Sequence, residues 1–302
     1  MALENIDNIV LGHNSFFGVN HLSQEQGERT AAKFEQAGPI LDMIRFSMER
    51  GVRGMMMSTH PRAAMVAEAV RADGRMLDQL NLYPLLPYIA KYVRQSNEKG
   101  VVNVIMDQVK GAGIGQTLGL FARGGMAMLR KDVFQILKTL IQMELMPFRG
   151  LRMRAVFLHD VLSDLALSLD MRSIFEFYVE EIRDKYEAEP AFATKNLPLM
   201  VRRLKDYGIE RPLILSHFNQ VGFNMNPSQE ACERCLVEED LQIMAMGTLA
   251  SGYLKPDEAY KYLFGLAKMD SVVVGVSNPS HAEQTFAAIH TQSKSNSEPR
   301  QR

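Results

Sequence analysis

Residues 213–220 read LILSHFNQ, an aliphatic run that passes without a break into Ser216, His217, Asn219 and Gln220. A strand apolar along its whole length belongs in a parallel sheet covered by helices on both faces. Seven further stretches have this form. They are NIVLGHN (8–14), RGMMMST (53–59), LNLYPLL (80–86), VVNVIMD (101–107), RAVFLHD (154–160), LQIMAMG (241–247) and SVVVGVS (271–277), with PLILSHF (212–218) taking the sixth place.

Helical patterns lie between them. GPILDMIRFSMERG (38–51) has apolar residues at helical spacing and stops at Gly51. SIFEFYVEEIRDKYE (173–187) sets Ile174, Phe175, Tyr178, Val179 and Ile182 on one face. LPLMVRRLKDYG (197–208) repeats the pattern, and DEAYKYLFGLAK (257–268) opens with an acidic turn suited to the helix dipole. Eight strands alternating with helices predict an α/β chain folded as one (β/α)8 TIM barrel over residues 1–290. The polar end, 291–302, is expected to be disordered. A doubly wound open sheet is the alternative, because periodicity does not show closure.

Composition narrows the partners. A chain of 302 residues with net charge -1 has no electrostatic pull toward nucleic acid or anionic membrane. The start, MALENIDNIVLGHNSF, lacks the basic and apolar regions of a leader, and no run approaches the ~18 apolar residues of a span. Cys232 and Cys235 are the only cysteines, so a cytoplasmic protein without disulfides is expected. Their C-x-x-C spacing has no second pair to complete a zinc site and is read as packing, as are the 20 methionines. A homo-oligomer stays open. The glycines at 111, 113 and 115, in the connection 110–130, lack full G-x-G-x-x-G spacing. A phosphate turn, a lid and an oligomer contact remain alternatives there.

In such barrels the active site is built where strands end. The expected ends carry His13; Ser58, Thr59 and His60; Asp107; His159 and Asp160; and His217. Four of the seven histidines thus fall at four strand ends. Imidazole and carboxylate together suit a divalent zinc, manganese or iron ion, with His13, His60, Asp107, His159 and His217 as candidate ligands. Without metal, His217, His159, Asp107 and His60 are candidate acids and bases. His159 and Asp160 are neighbours, so one is expected to face inward and the other to cap the next helix. Thr248, Gly275, Ser277 and Asn278, on the last two ends, are expected to hold an anionic group of a cofactor or substrate. These residues predict an enzyme of lyase, isomerase or hydrolase type acting on a small anionic molecule. A barrel that only binds its partner is a further alternative.

LQIMAMGTLASGYL (241–254) and SVVVGVSNPSHAEQTFAAI (271–289) resemble the aldo-keto reductase superfamily, as does the linking segment NQVGFNMNPSQEACERCLVEEDLQIMAM (219–246). The likeness extends over roughly residues 212–289, and MERGVRGMMMSTHPRAAMVAEAV (48–70) is loosely like the family's second strand. It implies a barrel and hydride transfer from NADPH, served by an Asp, Tyr, Lys and His tetrad. The tetrad does not carry over. The family's Asp-Thr-Ala after strand two is Ser58-Thr59-His60 here, and LNLYPLLPY brings no lysine to the end of strand three. Strand four, where the family presents histidine, ends in Asp107 here. NPSHAEQTF (278–286) offers no Arg or Lys for a 2'-phosphate, and Tyr83 or Tyr88 is left to replace the proton donor.

Overall fold

Strands that are apolar on both faces pair side by side, all parallel, and the last closes onto the first. The computed structural model describes residues 3–18, 29–30, 32–87 and 129–297. Its strands are β1 (Ile9–Leu11), β2 (Gly54–Ser58), β3 (Asn81–Leu86), β4 (Ala155–Leu158), β5 (Glu189–Thr194), β6 (Leu213–His217), β7 (Gln242–Met246) and β8 (Ser271–Val274). They form a closed barrel in chain order. Closure is made by Ile9, Val10 and Leu11 pairing with Val272, Val273 and Val274, so the open-sheet alternative falls.

The register corrects two strand assignments. Residues 101–107 lie outside the described residues, and β3 pairs directly with β4 through Leu85↔Phe157 and Leu86↔Leu158. The barrel's eight places are filled without them. The missing strand is EPAFAT, β5, in register with both β4 and β6. It begins Glu189-Pro190 and is half alanine and threonine, so it carries little of the β-branched signal by which strands are recognised. The segment 154–160 therefore supplies the fourth strand, not the fifth.

Helices cover the outside: α1 (Asn14–Phe17), α2 (Ala37–Glu49), α3 (Ala63–Ala72), α4 (Gly74–Gln79), α5 (Leu129–Leu145), α6 (Asp160–Ser168), α7 (Arg172–Tyr186), α8 (Leu197–Asp206), α9 (Gln229–Glu238), α10 (Pro256–Gly265) and α11 (Pro279–Ser297). In α7, Phe175, Tyr178, Val179 and Ile182 are buried as their spacing predicts, and the Tyr178 hydroxyl donates to the Val156 carbonyl. α8 starts at Asn196, whose side chain accepts from the Leu199 amide, with a proline in its first turn. Cys232 and Cys235 are both buried on α9, where burial pushes their thiols up to about 11 and 12. α11 runs on through Ser297, so the first part of the segment expected to be disordered is helical. Among the described residues no helix is long and apolar enough to cross a membrane.

Inside the barrel a second core packs Val10, Met56, Tyr83, Phe157, Leu215 and Met244. Phe157 is completely buried there. Phe157→Ala should cost about 3–5 kcal/mol in urea denaturation; a loss below about 1 kcal/mol would mean that the interior is not packed around this ring.

Candidate functional site

Side chains alternate along a strand, so the interior core fixes which residues face inward at the open end. Continuing inward from Met56, Phe157, Ala193 and Leu215 by two positions reaches Ser58, His159, Lys195 and His217. From Val10 and Val273 the same step reaches Gly12 and Gly275. The C-terminal mouth is thus floored by a hydroxyl, two imidazoles and an ammonium, with glycines at the seam where the barrel closes.

His159 is the most tightly held of these. It stands at the end of β4 as the N-cap of α6. Its Nδ1 lies 2.6 Å from Asp160 Oδ1, and the Val161 amide approaches the same nitrogen at 3.3 Å. One nitrogen cannot donate and accept at once. The two contacts ask for opposite proton positions: the amide for a bare Nδ1, the carboxylate for a protonated one. Asp160 Oδ2 also meets Lys195 Nζ at 3.4 Å. Burial pushes the Asp160 carboxyl up, but the His159 hydrogen bond and the charges of His159 and Lys195 outweigh it and hold the group down at about 2. Sequence alternation suggested that one of His159 and Asp160 faces inward and the other caps the helix. Here His159 takes both positions, inward-facing and N-cap, and Asp160 stands against its ring.

One turn further along α6, Asp164 accepts from Thr194 Oγ1 at 2.5 Å and from the Lys195 amide at 3.0 Å. Burial raises its carboxyl, against the pull of those hydrogen bonds. Lys195, Asp164 and Thr194 are missed in the sequence because β5 is missed. The signal was present: EPAFAT ends in Thr-Lys-Asn, as polar as the other strand ends.

The remaining candidates divide. His13 is buried, and its ring packs on Phe17, which in turn stacks on His60 at 4.4 Å. Burial first, and then the neighbouring His60, lower the His13 pKa to about 4, so the ring is neutral. His60 Nδ1 accepts from the Arg62 amide at 3.1 Å. Thr59 hydrogen-bonds the buried Glu144 carboxylate of α5, a contact that nothing in the sequence announces. His217 lies against Gly247, where a Cβ would stand 2.4 Å from the ring, and Phe223 meets it edge-on. Asn219 is closed onto the Phe223 backbone by two hydrogen bonds and braces its own loop.

Of the residues expected to hold an anion, Thr248 is buried beside the Tyr260 phenol and hydrogen-bonds it. Asn278 caps α11 by accepting from the His281 amide at 2.9 Å. Gly275 approaches Ser15 Oγ, and the Ser277 carbonyl accepts from Lys33 Nζ at 2.6 Å. A cation therefore stands at the loop after β8, although 278–286 contains none. Tyr83 is no proton donor for the mouth: it exchanges hydrogen bonds with Asp7, just before β1, at the opposite end of the barrel. Tyr88, Asp107 and residues 110–128 of the connection lie outside the described residues, and its last two residues open α5.

Of the expected metal ligands, Asp107 lies outside the described residues. Among the described residues no three His, Cys, Asp or Glu side chains are grouped to hold a metal ion. Nδ1 of His60 meets a backbone amide and Nδ1 of His159 meets Asp160.

In comparison with solved structures the barrel is similar in fold to proteins named as aldo-keto reductases. A Pseudomonas aeruginosa protein assigned to that class matches with a TM-score of 0.61 at 11% identity, over 96% of this chain and 97% of its own. An aldo/keto reductase from Brucella melitensis matches with a TM-score of 0.54 at 9% identity, over 97% and 98%. An aldo-keto reductase from a Medee basin deep-sea metagenome library gives 0.52 at 12% identity, over 97% and 91%. No family model and no curated protein matches the sequence. At these identities the likeness is one of fold. It extends over nearly the whole chain, where the sequence resemblance reached only residues 212–289. The expectation of a metal-dependent lyase, isomerase or hydrolase is corrected by these neighbours, which are named as aldo-keto reductases.

The buried His13 sets a pH dependence. Its folded pKa is depressed from 6.5 to about 4, so the unfolded chain binds the extra proton between these values. Its contribution is fully present above pH 6.5 and is lost as pH falls toward about 4, up to about 3 kcal/mol. Urea unfolding across this window should show a steeper loss in the native protein than in His13→Phe. Equal slopes would contradict the assignment.

Proposed function

We propose that the chain reduces small carbonyl compounds with a nicotinamide cofactor, NADPH or NADH, bound at the C-terminal mouth, and that His159 moves the proton. The observation that carries this reading is the place of His159. It ends the fourth strand, where the aldo-keto reductase resemblance calls for the histidine of the tetrad, once β4 is assigned to Ala155–Leu158.

The residues present fit such a cofactor. Ser58 Oγ is buried, faces inward and has no hydrogen-bond partner among the described residues, which leaves it for a polar group of a bound molecule. Gly12 and Gly275 present no side chain at the seam. Lys33 brings positive charge to the loop after β8, suited to a phosphate. Phe223 and Tyr253, exposed after β6 and β7, offer aromatic faces at the rim.

What a reduced nicotinamide supplies, when bound, is a hydride for the carbonyl carbon. The carbonyl oxygen then needs a proton. Asp160 keeps the Nδ1 proton engaged whether the ring is neutral or cationic, so proton traffic passes through Nε2. A protonated Nε2 gives its proton to the oxygen during reduction, and a bare Nε2 takes it back from an alcohol in the reverse direction. His217 and Phe223 border the same opening and shape the space for the substrate. The two buried free thiols suit a reducing compartment, and we place the protein in the cytoplasm.

Calorimetry should give NADPH or NADH a Kd on the order of micromolar. Cofactor oxidation, followed by absorbance with a panel of aldehydes and ketones, should fall about 100-fold or more in His159→Ala with little change in the urea midpoint. Absence of binding by both cofactors, or full turnover in the variant, would remove this reading.

A further inference from the structure

We propose that Asp160 and Lys195 are positioning residues for His159: a carboxylate anchored by an ammonium that fixes the imidazole in its Nδ1–H tautomer and leaves Nε2 for chemistry. The inference rests on the reading of His159 as the proton carrier, but its first test, the tautomer of the ring, is read without turnover.

The geometry sets two donors or acceptors in competition for one nitrogen. At 3.3 Å the Val161 amide would cap α6 by donating to a bare Nδ1, the ordinary arrangement for an N-cap side chain. At 2.6 Å the Asp160 carboxylate demands a proton on that same atom. The two arrangements put the ring's proton on opposite nitrogens. Asp160 wins because its contact is shorter and charged, and that choice decides which nitrogen of His159 is left for a substrate.

The carboxylate is itself held from across the sheet. Lys195, the residue after β5, places Nζ 3.4 Å from Asp160 Oδ2, so the two oxygens of one carboxylate face the imidazole and the ammonium. The ammonium is aimed by its backbone. Asp164, four residues after Asp160 and therefore on the same face of α6, accepts from the Lys195 amide and from Thr194 Oγ1. Thr194 Oγ1 also accepts from the Asn196 amide. The acidic face of α6 thus grips the end of β5 with one carboxylate and joins its lysine to the histidine of β4 with the other. Neither Asp160 nor Lys195 needs to touch substrate for this role.

Nitrogen-15 NMR of histidine-labelled protein distinguishes the tautomers by their two-bond ring correlations. Neutral His159 in the native protein should carry its proton on Nδ1. In Asp160→Ala the Val161 amide is left as the partner of Nδ1, so the proton should move to Nε2. Lys195→Met should shift the ring toward the same mixture, and Lys195→Arg should restore the native pattern. A native ring protonated on Nε2, or an Asp160→Ala ring still protonated on Nδ1, overturns the proposal. The native pattern and its flip in Asp160→Ala, found in a protein that binds no nicotinamide cofactor, would uphold the positioning pair while removing the reductase reading. Full turnover in Asp160→Ala with a flipped tautomer would detach the pair from catalysis and overturn it too.

Discussion

Closing eight parallel strands into a barrel sends every second side chain into the interior, and at the mouth that alternation leaves no choice about which residues meet. The interior is filled by Val10, Met56, Tyr83, Phe157, Leu215 and Met244. Two positions beyond Met56, Phe157, Ala193 and Leu215 stand Ser58, His159, Lys195 and His217, with Leu85 and Met246 from the neighbouring strands. Sheet geometry fixes the site before any of these residues makes a hydrogen bond. The same closure seals the bottom, where the Tyr83 hydroxyl is tied to Asp7 and so kept away from the mouth.

On that frame the electrostatics are local. α6 begins immediately after β4, so His159 serves both as the last inward residue and as the helix N-cap, and Asp160 falls where it can hold the ring. An acidic residue in the first turn is favoured by the helix dipole, and the nearby ammonium of Lys195 offsets the cost of partial burial. His13 sits in the opposite environment. Enclosed among Phe17 and a second imidazole, its ring stays neutral.

Most of the barrel was legible because LILSHF, GMMMS and SVVV are apolar on both faces, as a covered parallel strand must be. Two segments misled. VVNVIMD has the composition of a strand and occupies no place among the eight described, while EPAFAT has a proline and small residues yet pairs on both sides. That exchange moved His159 from the fourth place to the fifth and hid Lys195 altogether. At the site, composition could not separate the uses of short polar side chains. Thr248, Asn219 and Asn278 stand where ligand-binding residues would, but Thr248 bonds Tyr260 and the two asparagines brace a loop and cap a helix. The histidines were visible as a group, whereas their roles depended on partners that only the fold brings near, such as Lys195 for Asp160 and Phe17 for His60.

We propose the mouth around His159 as the seat of a nicotinamide cofactor. It is tested most directly by titrating NADPH into histidine-labelled protein and following every imidazole at once. The account predicts that the ring signals of His159 and His217 move together and saturate, while those of His290, exposed on α11, stay in place. Saturable binding that leaves His159 and His217 unmoved, or no binding at all, would contradict it.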